Sequence, residues 1–242
     1  MPPGLIASHD LKDKHPTQYD FLTAPQKTIA MIGGRGSGKT WIGAERAFYA
    51  AYGYIGYNKV MKTPNTGIVT APSQDMLWNA ALTTFYERFG QYCTETGKRK
   101  TVLRNGSVIL WRSVYLPDYL RGANVSWWWG DEASRYENNV RLIISPMLRQ
   151  HGEVGYQWFT TTPRGRNWLW QLFERDKPTD TIYFNASSED NPFLSPDYAK
   201  WLRKEYGETD FAQQEIQGKF IAYQGLDYYN FRRSDHEWRK LE

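Results

Sequence analysis

Cysteine is nearly missing from this sequence: Cys93 is the single one among 242 residues. One thiol can form neither an intramolecular disulfide nor a multi-cysteine metal centre, so the chain reads as a protein of a reducing compartment in which Cys93 is structural. Long apolar runs are missing too. No stretch approaches the roughly 20 residues that cross a bilayer, and the N-terminus lacks the basic-then-apolar order of a secretory leader. The expectation is a soluble, unsecreted protein with no membrane partner. There is no repeat of solenoid period and no low-complexity tract. Charge of one sign is not in large excess either: 30 Lys and Arg stand against 26 Asp and Glu, a net +4, which admits an anionic partner without requiring one. What the chain has in plenty is aromatic side chains, 11 Trp and 17 Tyr among them. They read as filling a core and its rim rather than as stacking platforms for bases, and a 40% hydrophobic content is enough for a sizeable core.

The first 27 residues read as loop-rich. Thr28 to Ile32 is a short apolar run ending in glycines, and the apolar spacing from Trp41 to Phe48 suits a helix, giving strand, loop, helix. Thr66 to Ala71 reads as a second buried strand, with Pro72-Ser73 opening a helix from Gln74 to Phe89. Between Lys98 and Val114 the pattern alternates around Asn105-Gly106, which suits a hairpin turn because both residues tolerate positive φ. A third buried strand spans Val125 to Gly130, a helix Asn139 to Arg149, and a fourth strand Gly155 to Thr161. Further along come a helix over Asn167 to Arg175, a strand over Asp180 to Asn185, and helices over Pro196 to Gly207 and Thr209 to Gln217. Strands alternating with helices predict an α/β sheet covered on both faces.

Gly33-Gly34-Arg35-Gly36-Ser37-Gly38-Lys39-Thr40 carries the P-loop pattern between a predicted strand and a predicted helix. Glycines turn backbone N–H groups toward the phosphates of ATP, the helix N-terminus adds positive potential, Lys39 reaches the β- and γ-phosphates, and the Thr40 hydroxyl binds Mg²⁺. Trp127-Trp128-Trp129-Gly130-Asp131-Glu132 ends a buried run on two carboxylates and reads as Walker B. Asp131 would hold the magnesium through water and Glu132 would act as general base on the attacking water; alone, such a pair is an ordinary turn or N-cap. Nothing in the sequence accounts for three consecutive tryptophans. Thr160, Thr161 and Thr162 put hydroxyls at a strand tip that would face the nucleotide, although a threonine run is also ordinary strand material. Arg35, inside the loop, and Arg121, in Leu120-Arg121-Gly122-Ala123, are the candidates for a guanidinium aimed at the γ-phosphate, with a surface salt bridge as the alternative for each.

The ordered set Pro16-Thr17-Gln18, GGRGSGKT, Ile68 to Ser73, Leu120-Arg121-Gly122, GDEAS at Gly130 to Ser134, Thr161-Thr162-Pro163-Arg164-Gly165, Gly218-Lys219-Phe220 and Gly225-Leu226-Asp227 resembles the ATPase domain of the large terminase of tailed bacteriophages. The resemblance spans nearly the whole chain, and only the P-loop is specific by itself. It implies a three-layer αβα P-loop NTPase with a central, mostly parallel sheet of the additional-strand, catalytic-glutamate type. A core over 1–176 would be followed by a small lid or linker subdomain over 177–242, with the family's C-terminal nuclease absent. It implies an ATP- and Mg²⁺-dependent motor that drives double-stranded DNA through a portal protein into a procapsid in the host cytoplasm. Its partners would be the small terminase subunit and further copies in a homo-oligomeric ring, a pentamer by resemblance, with the isolated fragment a monomer. By the same resemblance Gln18 contacts adenine, Glu132 is the catalytic glutamate, Thr160 to Thr162 form the coupling motif, and Arg121 is an arginine finger acting on the neighbouring subunit. For the DNA, the densest basic cluster is Lys98, Arg99 and Lys100 with Arg104 on the predicted hairpin. A helicase-like or repair translocase would share all of the ATP chemistry, and a nucleotide switch would share the P-loop without turnover.

Overall fold

The apolar run ahead of the glycine-rich loop forms β1 (Thr28–Gly33), buried at every residue because it has a strand on each side and helices on both faces. These elements belong to a computed structural model that describes residues 15–221; Gly225, Leu226 and Asp227 lie outside the described residues. The other strands of the main sheet are β2 (Thr66–Ala71), β3 (Cys93–Glu95), β4 (Lys100–Leu103), β5 (Val108–Ser113), β6 (Trp127–Asp131), β7 (Tyr156–Thr161) and β8 (Thr181–Ala186). Their order is β8-β1-β7-β6-β2-β5-β4-β3. From β8 to β5 every pairing is parallel, and β4 and β3 are added antiparallel at one edge. Strand β7 thus stands between the P-loop strand and the Walker B strand, the additional strand that the resemblance implies. The edge strand β8 belongs to this same sheet although it lies beyond residue 176.

The hairpin forms where Asn105-Gly106 predicts it. Gly106 takes φ +82°, and the Asn105 side chain accepts from the Ser107 N–H (3.1 Å) while donating to the Ala51 carbonyl (2.9 Å). Helix α1 (Pro16–Thr23) lies inside the stretch expected to be loop-rich. Pro16 opens it at a position where a missing N–H costs nothing, and the His15 ring accepts from the Thr17 N–H. Helix α2 (Lys39–Ala51) follows the P-loop. Helix α3, residues 74–89, is α-helical at both ends and π-helical over Leu77–Leu82. The helix expected over Asn139 to Arg149 is shorter. Helix α4 covers Asn138–Ile144 and gives way to a 3₁₀ turn at Ser145–Met147, because Pro146 can neither donate to the ladder nor clear the preceding turn. Helix α5, residues 168–176, is N-capped by Asn167; α6 (Pro196–Tyr206) and α7 (Asp210–Glu215) close the described chain.

The sheet separates two cores. One holds Phe21, Phe48, Phe85, Trp111, Trp127, Trp129 and Trp158 under α1, α2 and α3; the other holds Ile32, Ile68, Trp128, Val140, Phe159 and Leu169 under α4 and α5. The tryptophan triplet follows from this division. Successive residues of a strand point to opposite faces, so Trp127 and Trp129 fill one core and Trp128 the other. Each indole N–H finds an acceptor, Asn65 Oδ1 (3.1 Å), Thr70 Oγ1 (2.8 Å) and Thr160 Oγ1 (2.8 Å) in turn. Space for two of the rings comes from glycines. A Cβ at Gly67 would stand 2.0 Å from Trp127, and one at Gly43 would stand 2.6 Å from Trp129.

Candidate active site

The C-terminal end of β1 delivers the chain into the glycine-rich loop. Gly36 (φ +75°) and Gly38 (φ +80°) occupy left-handed backbone that other residues rarely adopt. Gly34 is required for a different reason: a Cβ there would stand 2.1 Å from the Ile216 carbonyl oxygen. The Ser37 hydroxyl donates to the Gly34 carbonyl (2.8 Å), and the Lys39 ammonium, drawn down from Nζ of a buried side chain, donates to the same oxygen (2.6 Å). Burial lowers the Lys39 pKa, against the opposing charges of Glu132 and Asp131. No side chain caps the N-terminus of α2, so its first N–H groups face the loop as an anion cradle. Gln18, buried on α1, donates from Nε2 to the Gly38 carbonyl (3.4 Å).

Asp131 ends β6 opposite this loop. Its two carboxylate oxygens each lie 3.2 Å from the Thr40 hydroxyl, and Oδ1 accepts from Thr160 (2.6 Å). Since Thr160 also accepts from Trp129 Nε1, its proton is committed to Asp131, which joins the carboxylate to the neighbouring strand. Burial, and next the Glu132 charge, push the Asp131 pKa up to about 7. Glu132 follows in the left-handed region (φ 51°, ψ 39°), a conformation that costs a non-glycine residue about 1–3 kcal/mol and recurs at functional sites. Around it, Thr161 Oγ1 bonds the Ser134 hydroxyl (2.8 Å) and accepts from the Ser134 N–H (3.1 Å), and Asn167 and Trp168 donate to the Ser134 and Ala133 carbonyls.

These elements frame a cleft of about 1090 Å³ whose walls include Gly38, Lys39 and Thr40 on one side and Glu132, Arg135 and Thr162 on the other. Three of the wall residues, Arg135, Arg164 and Glu215, carry no assignment in the sequence reading. Arg135 Nε stands 3.9 Å from the Glu132 carboxylate, an i,i+3 spacing that marks it as a neighbour. Glu215 lies 180 residues from Arg35 and pairs with it (2.6 Å), while the Arg35 N–H donates to the Glu215 carbonyl (2.7 Å); nothing local signals that contact. Arg121 does not line the cleft. It is exposed, with Nε 3.5 Å from Asp118.

The basic cluster is divided. Strand β4 runs antiparallel to β5, which is parallel to the P-loop side of the sheet. Lys98, Arg99 and Lys100 therefore lie at the P-loop edge and Arg104, beyond the far end of β4, at the opposite edge. Lys100 is paired with Glu95 (3.1 Å).

The paired oxygens of Thr40 and Asp131 suit a hard divalent cation such as Mg²⁺. Among the described residues no group of three or more His, Cys, Asp or Glu could hold a metal by itself, so such an ion would take its other ligands from water and phosphate. Among the described residues no helix is long and apolar enough to cross a membrane.

The family model for the T4likevirus-type terminase large subunit, N-terminal part, matches residues 30–234. Among solved structures, the large terminase ATPase domain of Thermus phage P74-26 is similar at 20% identity and a TM-score of 0.68, over 86% of this chain and 94% of that one. The large terminase of a thermophilic bacteriophage in complex with ADP is similar at 16% identity and a TM-score of 0.70, over 92% of this chain and 57% of that one. The same protein in complex with ATP-γ-S is similar at 14% identity and a TM-score of 0.70, over 92% and 56%. This chain thus spans little more than half the length of that full terminase, and at these identities the likeness is one of fold. No curated protein matches the sequence. With the family model covering most of the chain and the same fold recurring in these structures, the chain belongs to the T4likevirus-type terminase large subunits, as their N-terminal part with the ATPase-domain fold.

Proposed function

We propose that this chain hydrolyses ATP to drive double-stranded DNA into a procapsid. The observation that carries the reading is the joining of Thr40 to Asp131 at the mouth of the P-loop, with Glu132 facing the same cleft. The P-loop amides and Lys39 bind the β- and γ-phosphates, and Gln18 reads the adenine from the far side of Gly38. Thr40 and Asp131 would hold Mg²⁺, the latter through water, and the ion would supply positive charge against the phosphate oxygens. Glu132 orients a water in line with the γ-phosphorus and accepts its proton as the O–P bond forms and the β–γ bridge breaks. Arg35 supplies positive charge from within the loop once phosphate competes with Glu215 for it. Arg121, exposed and away from its own cleft, acts on the nucleotide of a neighbouring copy in a ring. Thr160 to Thr162 transmit the state of the cleft along β7, and the residues that follow the sheet, from 187 onward, serve as a lid. The partners are double-stranded DNA, the portal protein and the small terminase subunit, at the portal vertex in the host cytoplasm.

ADP and ATP-γ-S complexes of a terminase with this fold support the nucleotide reading. The test is in vitro packaging by the full-length protein with procapsids, comparing wild type with Lys39→Ala, Glu132→Gln and Arg121→Ala. Each variant is expected to lose packaging, and normal packaging by all three would refute the mechanism.

A further inference from the structure

A second cavity, of about 790 Å³, opens on the P-loop edge of the sheet, between α3 and the chain that leaves β5. Its charge has one sign. Lys98, Arg99 and Arg112 line it, and no aspartate or glutamate does. Two of these cations, Lys98 and Arg112, are held in place by side-chain contacts. The Lys98 ammonium lies 4.3 Å over the indole of Trp78, whose Nε1 donates to the Lys98 carbonyl (3.2 Å). Arg112 Nη1 donates to the Arg99 and Trp111 carbonyls, each at 2.8 Å. Among the described residues the Arg99 guanidinium meets no carboxylate. Three like charges gathered without a counter-charge repel one another, and an anion in the groove relieves that cost. The opposite lip carries Tyr115 and Tyr119, 79% and 81% exposed, whose hydroxyls are ready donors for phosphate oxygens.

We propose that this groove holds one sugar-phosphate strand of duplex DNA, through Lys98, Arg99 and Arg112 on one wall and the Tyr115 and Tyr119 hydroxyls on the other. The inference rests on the DNA-translocating reading and narrows it. Lys100, neutralised by Glu95, and Arg104, at the opposite edge of the sheet, are excluded from the contact. Helix α3 lines both cavities, with Trp78 on the groove and Thr84 and Glu87 on the nucleotide cleft. The DNA and the nucleotide would therefore share one wall, with Trp78 on its π-helical turn and Thr84 and Glu87 on the α-helical stretch that follows.

The test is fluorescence anisotropy of a labelled 30-base-pair duplex of mixed sequence with the full chain, titrated from 50 to 200 mM KCl. Each phosphate contact contributes a slope of about −0.9 in log K against log salt, so a fourfold rise in salt weakens binding about 3.5-fold per contact. Lys98→Ala/Arg99→Ala should flatten the slope by about 1.8, so that wild type loses about 12-fold more affinity across the range than the variant does. Arg104→Ala and Lys100→Ala should leave the slope unchanged, and Tyr115→Phe/Tyr119→Phe should weaken binding several-fold at constant slope. The substituted side chains are exposed, and a thermal melt checks that each variant is folded. An unchanged slope in Lys98→Ala/Arg99→Ala, a slope moved instead by Arg104→Ala, or no duplex binding by wild type overturns the groove. So does a preference for a single strand of the same length, which would assign the tyrosines to unpaired bases. A change in oligomeric state at unchanged DNA affinity would make the face a protein interface. Failure here leaves packaging dependent on Lys39 and Glu132, whereas failure of the motor reading removes that dependence.

Discussion

Without divalent cation, Asp131 should make the folded chain lose stability as the pH rises toward neutrality. Burial first, and the Glu132 charge second, raise its pKa from 3.8 to about 7, outweighing the hydrogen bonds from Thr160 and Thr40 and the Lys39 charge. An acid whose pKa is higher folded than unfolded holds its proton more tightly in the folded chain. Its contribution to stability is complete below the unfolded value and is lost as the pH climbs through the folded one. Each pH unit inside that window is worth about 1.36 kcal/mol. The climb from pH 5 to pH 8 therefore removes about 2.6 kcal/mol, most of it below pH 7 because the slope fades as the folded carboxyl loses its proton. The assay is urea unfolding in EDTA from pH 5 to pH 8, wild type beside Asp131→Asn, whose amide does not titrate. With a urea slope of about 3 kcal/mol per molar for a chain of this size, the two midpoints should converge or diverge by nearly 1 M across the range. Adding Mg²⁺ and nucleotide at pH 7.5 should recover the loss, since a bound cation favours the carboxylate. Parallel pH profiles for the two proteins would refute the reasoning.

Three other variants test single residues. Arg46, fully buried between the rings of Phe21 and Trp158, donates to the carbonyls of Phe21, Leu22 and Ala24 and so fastens the end of α1 to α2; Arg46→Met should cost about 2–4 kcal/mol in a denaturant titration, part of the loss of three charged donors being offset by removal of a buried charge. The same variant should weaken adenine nucleotide binding more than phosphate binding, because Gln18 rides on α1. Gly43→Ala drives a methyl into Trp129, and the overpacking of about 1–3 kcal/mol should exceed the gain of about 1 kcal/mol in helix propensity, visible as a lower midpoint. Glu132→Gln should lower kcat by about 10²-fold or more while nucleotide affinity measured by calorimetry stays within a few-fold; wild-type turnover would remove Glu132 from the chemistry.

The strands were legible because a parallel sheet covered on both faces writes its strands as unbroken apolar runs, as in Thr28 to Ile32 and Thr66 to Ala71. The P-loop and the Asn105-Gly106 turn were legible because their chemistry is local. The order of the strands is not local, and neither is any contact that depends on it. The cation that caps α1 comes from Arg46, more than 20 residues away, and the carboxylate that meets Arg35 comes from the far end of the described chain. The four basic residues assigned to DNA look like one cluster along the sequence, yet a short antiparallel strand carries Arg104 to the opposite edge from Lys98 and Arg99. The helix expected through residue 149 overran Pro146, whose ring sterics outweigh the apolar spacing on either side. Helix α1 was missed because it buries few apolar residues of its own and is held by its contacts.

The tryptophan triplet that the sequence left without a reason bears on how the site can work. Trp127 and Trp128 spend their N–H groups on Asn65 and Thr70, so they pack β6 against β2. Trp129 spends its own on Thr160 of β7, and the Thr160 hydroxyl donates a hydrogen bond to Asp131. A buried side chain of that size, seated against Gly43 of the P-loop helix, cannot change rotamer without opening a cavity. The carboxylate facing Thr40, the strand tip that carries Thr160 to Thr162, and the helix behind the P-loop are thereby joined, so Thr160 to Thr162 are placed to feel the state of the cleft. Polar contacts at the rim of these joined elements reach the neighbouring parts of the chain. Such contacts include Glu132 with Arg135 on one side and, on the other, Arg35 with Glu215 and Asn191 with the Gly36 carbonyl. Phosphate entering the loop would compete directly for Arg35, and Glu215 sits on α7, so nucleotide is expected to raise amide hydrogen exchange in the C-terminal pair of helices before it does so in the sheet, and equal protection there with and without nucleotide would refute this order.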